Sequence, residues 1–270
     1  MVAPASCSSL AEFISYFNDA IDVLQSGANL ERCARELAED SAADGIDYLE
    51  VRWAPRLHLR GGLGIRQVIE AVVAGLEAGP IRAVAIVCAM RQDSPEENLE
   101  LARIAGTYAG RGVAGFDLAG DERRWPNDGA MKGSFDAARA AGLRLTCHAG
   151  EAAGPDSIIS ALDHYRVERI AHGVTAAGSP ALLRRLRDQG VVLDLCPTAN
   201  WKCKAVAEIE DHPLPGLLAA GVRCTISTDS RTVAATTLSD EFRIARDVLG
   251  LDDDTLHRCN LTAYEARFGP

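Results

Sequence analysis

The chain has 270 residues, a formal net charge of −10 and an apolar fraction of 47%, which suits one large globular domain. The acidic balance, a pI near 5.1 and the lack of any lysine or arginine run exclude an electrostatic footprint for nucleic acid or for an anionic membrane surface. A small, roughly neutral ligand is the expected partner. No stretch approaches the ~18 uninterrupted apolar residues of a membrane span, and the opening MVAPASCSSLAEF lacks the basic region and apolar core of a secretory signal. A soluble, cytoplasmic protein is therefore expected.

In chain order, Leu10–Leu24 reads as a helix. Asn29 reads as the N-cap of a second helix over Leu30–Ala43, where Leu30, Cys33, Ala34, Leu37 and Ala38 share one face, and Gly45 ends it. YLEVRW (Tyr48–Trp53) is the first strand, with Glu50 and Arg52 alternating as a candidate buried ion pair. After Gly61, Gly62 and Gly64 a helical pattern runs to about Ala78. Further strands are expected at Ala83–Ala89, Val113–Leu118, Leu143–Cys147, Arg169–Ala171, Val191–Leu195 and Arg223–Ile226, seven in all. Cys88, Cys147, Cys196 and Cys224 lie in these apolar runs and read as buried thiols, not disulfide partners. Cys203, in WKCK, is the only cysteine in an obviously basic setting and the one candidate for a reactive thiol.

Helical segments of ~10 to 15 residues separate nearly all the strands, the mark of an α/β protein with a parallel sheet. Most strands end in polar triplets, as in DLAG, CHAGE, AHG and STDS. Chemistry spread over many strand ends favours a TIM-like (β/α) barrel, since a doubly wound sheet gathers its ligand groups at one switch point. No Gly-x-Gly-x-x-Gly or Walker loop, internal repeat or linker interrupts residues 1–270, which read as a single domain. A barrel has eight strands, so one is missing, at the start.

His148 and Glu151, in CHAGE, follow an apolar strand directly; His172 ends another beside Gly173, and Asp229 follows a third. A lone histidine in such a place is as readily a satisfied core residue. Three strand ends offering His, His and Asp together point to a divalent cation such as zinc, with one position open for water. Such an ion lowers the pKa of its water from ~15.7 towards ~7, which makes hydrolysis the natural chemistry. Glu151 reads as a proton donor or shuttle in a dry pocket, or else as half of an ion pair with an arginine. His164, His212 and His257 read as surface residues, and Asp252–Asp254 as a solvated helix start.

Six segments carry a family resemblance, in order: YLEVRWAPRLH (48–58), GFDLAGDE (115–122), CHAGEAAGPDSI (147–158), ERIAHGV (168–174), LDLCPTAN (193–200) and HPLPGLLAAGVRCTISTDS (212–230). Over nearly the whole chain they resemble the adenosine deaminases of the metal-dependent amidohydrolase superfamily. The resemblance implies one zinc ion with His148 as a ligand and Asp229 as a further ligand that also bonds the reactive water. It implies that Glu151 protonates purine N1, that His172 orients the water and helps deprotonate it, and that the Gly120 amide approaches purine N3. The implied partner is a small purine nucleoside. Zinc-activated water would attack its C6 and expel ammonia, turning adenosine into inosine.

Two departures bear on these implications. The family opens with a strand carrying His-x-His, which supplies two zinc ligands, whereas none of His58, His148, His164, His172, His212 and His257 lies two residues from another. That strand would be the first of the barrel, in agreement with the count of seven. Either the segment carrying it has been lost through a wrong start site or a fragment, or the protein dispenses with the full zinc site. With two of four protein ligands, zinc affinity and deamination are expected to fall severely, and open strand edges to favour self-association. Ser230 stands where the family usually has a second Asp on purine N7, and its neutral hydroxyl has a shorter reach. This leaves two alternatives: a non-catalytic purine-binding relative, or an aminohydrolase for another amine.

Overall fold

The computed structural model describes residues 1–270. The chain falls into two compact units, one of Asn18–Ala119, Ala130–Leu145 and Phe268–Pro270, the other of Met1–Phe17, Gly120–Gly129 and Thr146–Arg267.

The first unit holds strands β1 (Tyr48–Trp53), β2 (Arg82–Met90) and β3 (Val113–Ala119), together with the opening residues of β4 (Arg144–Ala149). They pair in parallel, with Tyr48 opposite Arg82, Ile86 opposite Gly115 and Gly115 opposite Arg144. β2 shows an unbroken apolar run because both its faces are covered, and Ala85 to Ala89 are all buried. The helix Ile65–Glu77 buries Val68, Ile69, Val72, Val73 and Leu76, the spacing of one helical stripe. Glu50 and Arg52 are half-buried, and each has a partner outside the expected pair. Glu50 accepts from the Tyr48 hydroxyl at 2.9 Å and from Phe268 N, while Arg52 lies 3.8 Å from Asp117.

Two local expectations are corrected. The helix expected from Leu30 is Gly27–Ala43, and its N-cap is Ser26, not Asn29. The Ser26 hydroxyl accepts from Asn29 N at 3.3 Å, and the Asn29 side chain turns back to Val23 O at 2.8 Å. The single helix expected over Leu10–Leu24 is two, Leu10–Ser15 and Asn18–Val23. Tyr16 N and Phe17 N donate to carbonyls three residues back, Phe13 O at 3.2 Å and Ile14 O at 3.1 Å, and this tightening ends the α-helical repeat.

The second unit holds the remainder of β4 with β5 (Arg169–His172), β6 (Val192–Leu195) and β7 (Arg223–Ile226), again parallel. β4 continues two residues past its expected end, so His148 lies within the strand, opposite Ala171, and Ala149 lies opposite His172. A buried polar triad ties three strands together. Asp194 of β6 accepts from Arg169 of β5, through Nε at 3.1 Å and an Nη at 2.9 Å, and from the Thr225 hydroxyl of β7 at 3.0 Å.

The hydrogen-bonded order runs from β1 to β7 without a crossover. Sequential parallel strands alternating with helices form the topology of a TIM-like barrel, since a doubly wound sheet reverses its order at a switch point. The seven strands are those read from the sequence, and none of the eight cysteines is in a disulfide, with Cys88, Cys147, Cys196 and Cys224 buried. No helix is long and apolar enough to cross a membrane. Asp194→Ala would leave Arg169, which is 8% exposed, without its carboxylate. The expected loss is about 3–5 kcal/mol of stability, read from urea denaturation midpoints.

Candidate metal and active site

Parallel strands place their carboxyl-terminal ends on one side, and the second unit uses this to gather chemistry. His148 comes from β4 and His172 from β5, while Asp229 lies three residues beyond β7. One ligand atom from each lies within 4.8 Å of the others. The two imidazole centroids are 5.2 Å apart. His172 and Asp229 both have positive φ, 68° and 54°, a conformation that histidine and aspartate tolerate better than most residues but that still costs of order 1–3 kcal/mol. Held strain at two of three converging residues marks a site where orientation matters. Two imidazoles and a carboxylate form a donor set that suits zinc.

Glu151 sits beside this cluster, buried, with Oε1 3.5 Å from His172 Nε2. Burial, reinforced by the nearby Asp229 and Glu122 charges, pushes its carboxyl up to about 8. The Cys203 thiol donates to the same oxygen at 3.3 Å. This corrects the reading of Cys203 as a thiol in a basic setting. It is buried, and burial together with the adjacent Glu151 pushes its pKa far up. The neighbouring lysines face elsewhere. Lys202 Nζ donates to Ala234 O at 2.6 Å, and Lys204 lies over the Trp201 ring.

The loop that carries Glu151 is held by a carboxylate that sequence reasoning passed over. Glu122, buried, accepts from four consecutive backbone amides: Gly150 at 2.6 Å, Glu151 at 3.1 Å, Ala152 at 2.9 Å and Ala153 at 2.9 Å. It also accepts from the Ser157 hydroxyl. Gly150, at φ 68°, permits the turn, because a Cβ there would meet Ile158 Cδ1 at 2.5 Å. Glu122 closes the segment GFDLAGDE, yet nothing in its spacing shows which backbone this carboxylate holds.

Asn200 and His212 were likewise missed. Asn200 lies 3.0 Å from His172 Nδ1 through Nδ2 and 3.2 Å from His212 Nε2 through Oδ1. His212 is therefore not the surface residue expected. It is 3% exposed, and burial pushes its pKa down to about 4. His164 and His257 are exposed, as expected. Gly120 follows β3 at φ 120°, half-buried, and the Ser230 hydroxyl caps the helix Arg231–Ala234 by accepting from Val233 N at 3.3 Å.

Sequential parallel strands with two imidazoles and a carboxylate gathered at their carboxyl-terminal ends define a (β/α) enzyme with a candidate metal centre. The family described as adenosine deaminase matches residues 2–270, and the chain belongs to it. It is 34% identical over 267 residues to an adenosine deaminase of Clostridium botulinum, covering 97% of this chain and 79% of that one. Among solved structures it is similar to an adenine deaminase from Arthrobacter aurescens, with a TM-score of 0.91, 26% identity and coverage of 98% and 82% of the two chains. It is also similar to the N6-methyl-AMP deaminase of Arabidopsis thaliana, with a TM-score of 0.87, 25% identity and coverage of 97% and 80%. The protein is thus a hydrolytic deaminase acting on a C–N bond.

Glu122→Gln places an amino group against donors that need an acceptor. It is expected to destabilise the chain by about 2–4 kcal/mol, from the cost of two or more buried amides left unpaired, and to speed hydrogen exchange at the amides of residues 150–153. His212 has a folded pKa below its unfolded value, so the stability it contributes is present above pH ~6.5 and lost as pH falls towards ~4. Compared with His212→Gln, the wild type should lose on the order of 3 kcal/mol more across that window in denaturation measured at stepped pH.

Proposed function

We propose that the protein is a zinc-dependent hydrolase that removes the 6-amino group of a purine nucleoside, adenosine or a close relative, giving the 6-oxo purine and ammonia. The observation that carries this reading is the convergence of His148, His172 and Asp229 within 4.8 Å beside the buried Glu151. Membership of the adenosine deaminase family supports it. The similar structures, an adenine deaminase and an N6-methyl-AMP deaminase, share 6-aminopurine chemistry and differ in what the ring carries.

His148 and Asp229 would hold the ion. Bound zinc supplies a Lewis acid that makes water nucleophilic near neutral pH. Addition of oxygen at C6 drives an electron pair onto N1, so an acid is needed there. Glu151, buried and with its pKa raised, keeps a proton to give. Asp229 and His172 orient the attacking oxygen. The C6–N bond then breaks, and the amino group leaves as ammonia once it has gained a proton. The Gly120 amide would contact N3 and the Ser230 hydroxyl N7. A neutral hydroxyl at position 230 makes a less demanding purine contact than a carboxylate and so leaves room for relatives of adenosine.

The 270 residues contain no His-x-His pair. Of the family-type zinc ligands these residues supply His148 and Asp229. Zinc-supplemented protein incubated with adenosine, with inosine and ammonia followed chromatographically, should form product. Glu151→Gln should lower that rate by about 100-fold or more. Adenosine binding with no product would replace this reading by that of a non-catalytic purine-binding protein, and equal product from both proteins would remove Glu151 from the role of acid.

A further inference from the structure

Neutral histidine carries one proton on two nitrogens, and which nitrogen holds it decides whether the ring offers a donor or a lone pair. Around His172 the backbone settles the question. Leu214 N lies 3.2 Å from His212 Nδ1. An amide N–H can only donate, so Nδ1 of His212 accepts and its ring proton sits on Nε2. That Nε2 meets Asn200 Oδ1 at 3.2 Å. A second amide fixes the orientation of Asn200 independently: Cys196 N lies 3.3 Å from the same Oδ1, which must therefore be the oxygen. The amino end of Asn200 is then the atom 3.0 Å from His172 Nδ1. It donates, so His172 Nδ1 accepts, and the ring proton of His172 sits on Nε2, the nitrogen that faces Glu151 Oε1 at 3.5 Å.

We infer that Asn200, held in turn by His212, is a positioning residue that fixes His172 as its Nε2–H tautomer, so that His172 presents a hydrogen-bond donor to the site and not a metal-ligating lone pair. The direction of the relay is set at two points, His212 Nδ1 and Asn200 Oδ1, by main-chain N–H groups, which cannot reverse. Burial of His212 keeps that ring neutral over the range in which proteins usually work. A doubly protonated His172 is excluded while Asn200 donates to it.

One consequence rests on the proposed deaminase reading. A histidine that already holds its Nε2 proton orients the attacking oxygen by donation and does not collect a proton from it. That proton goes to a carboxylate, and Asp229 is the carboxylate of the converging trio. His172 then shapes the geometry of attack, while His148 and Asp229 are the groups left to hold an ion.

The test uses the whole chain, metal-free, with ¹⁵N-labelled histidine. Long-range ¹H–¹⁵N correlation reports the tautomer of each ring directly, and His172→Gln and His212→Gln assign the signals. Both His172 and His212 should appear as Nε2–H with an unprotonated Nδ1. Asn200→Asp replaces the donor by a second acceptor, so His172 should flip to Nδ1–H while His212 stays as it was. In that variant the freed Nε2 lone pair should raise zinc affinity at least tenfold in competition with a chromophoric chelator. A wild-type His172 that is Nδ1–H, or an even mixture of tautomers, overturns the inference, as does an Asn200→Asp protein whose His172 does not change. If that variant fails to fold, the wild-type spectrum alone decides. The spectra need neither zinc nor substrate. Failure to deaminate with the expected tautomers therefore counts against the function alone, and the wrong tautomers count against the relay alone.

Discussion

Parallel strands present all their carboxyl-terminal ends on one rim, and this constraint governs the second unit. Strands β4, β5, β6 and β7 pair in sequence order, so whatever follows each of them is delivered to the same side. The register is held from within by Asp194, which takes two bonds from Arg169 and one from Thr225 in a place where an unpaired charge would be very costly. Imidazoles from β4 and β5 and the carboxylate after β7 meet because the ladder beneath them cannot slip by a residue without turning every side chain to the other face.

That level of organisation was legible in the sequence because it rests on local signals. Short β-rich runs, most of them followed by polar or glycine-rich turns, located all seven strands. The polar residues closing those runs located His148, His172 and Asp229. The errors were also local, and each has a cause. Serine capped the helix Gly27–Ala43 from three residues before the asparagine credited with that role. The strand β4 kept its ladder for two residues longer than its apolar pattern lasted, because a histidine at a strand end pairs its backbone as well as any aliphatic residue does.

What stayed hidden were contacts that join distant parts of the chain. Glu122 meets the amides of residues 150–153 across about thirty positions of sequence. Asn200 reaches back 28 residues to His172 and forward 12 to His212, and Cys203 lies 52 residues from Glu151. No periodicity encodes such pairs, because each is set by how loops fold over strand ends. Composition near the residue can mislead as well. The lysines flanking Cys203 gave its thiol a basic setting in the sequence, but the helical turn sends them to Ala234 and Trp201 and leaves the sulfur buried against a carboxyl group.

Three acidic side chains share this small region, and each copes with its surroundings differently. Glu122 is buried and satisfied by five donors, four of them main-chain amides, which makes it a fixed part of the scaffold. Glu151 is just as buried but has few donors, so its cheapest state is the protonated one. Asp229 stays exposed, where water can solvate it. An acid that keeps its proton, beside one open to water, is the division of labour that the proposed hydrolysis of an aminopurine would use: one group to give a proton to the ring, another to manage the attacking oxygen. Exchanging their burial would abolish that division while leaving the residue types unchanged. Chemistry in this site therefore depends on where the fold places each carboxyl group as much as on which residues the sequence supplies.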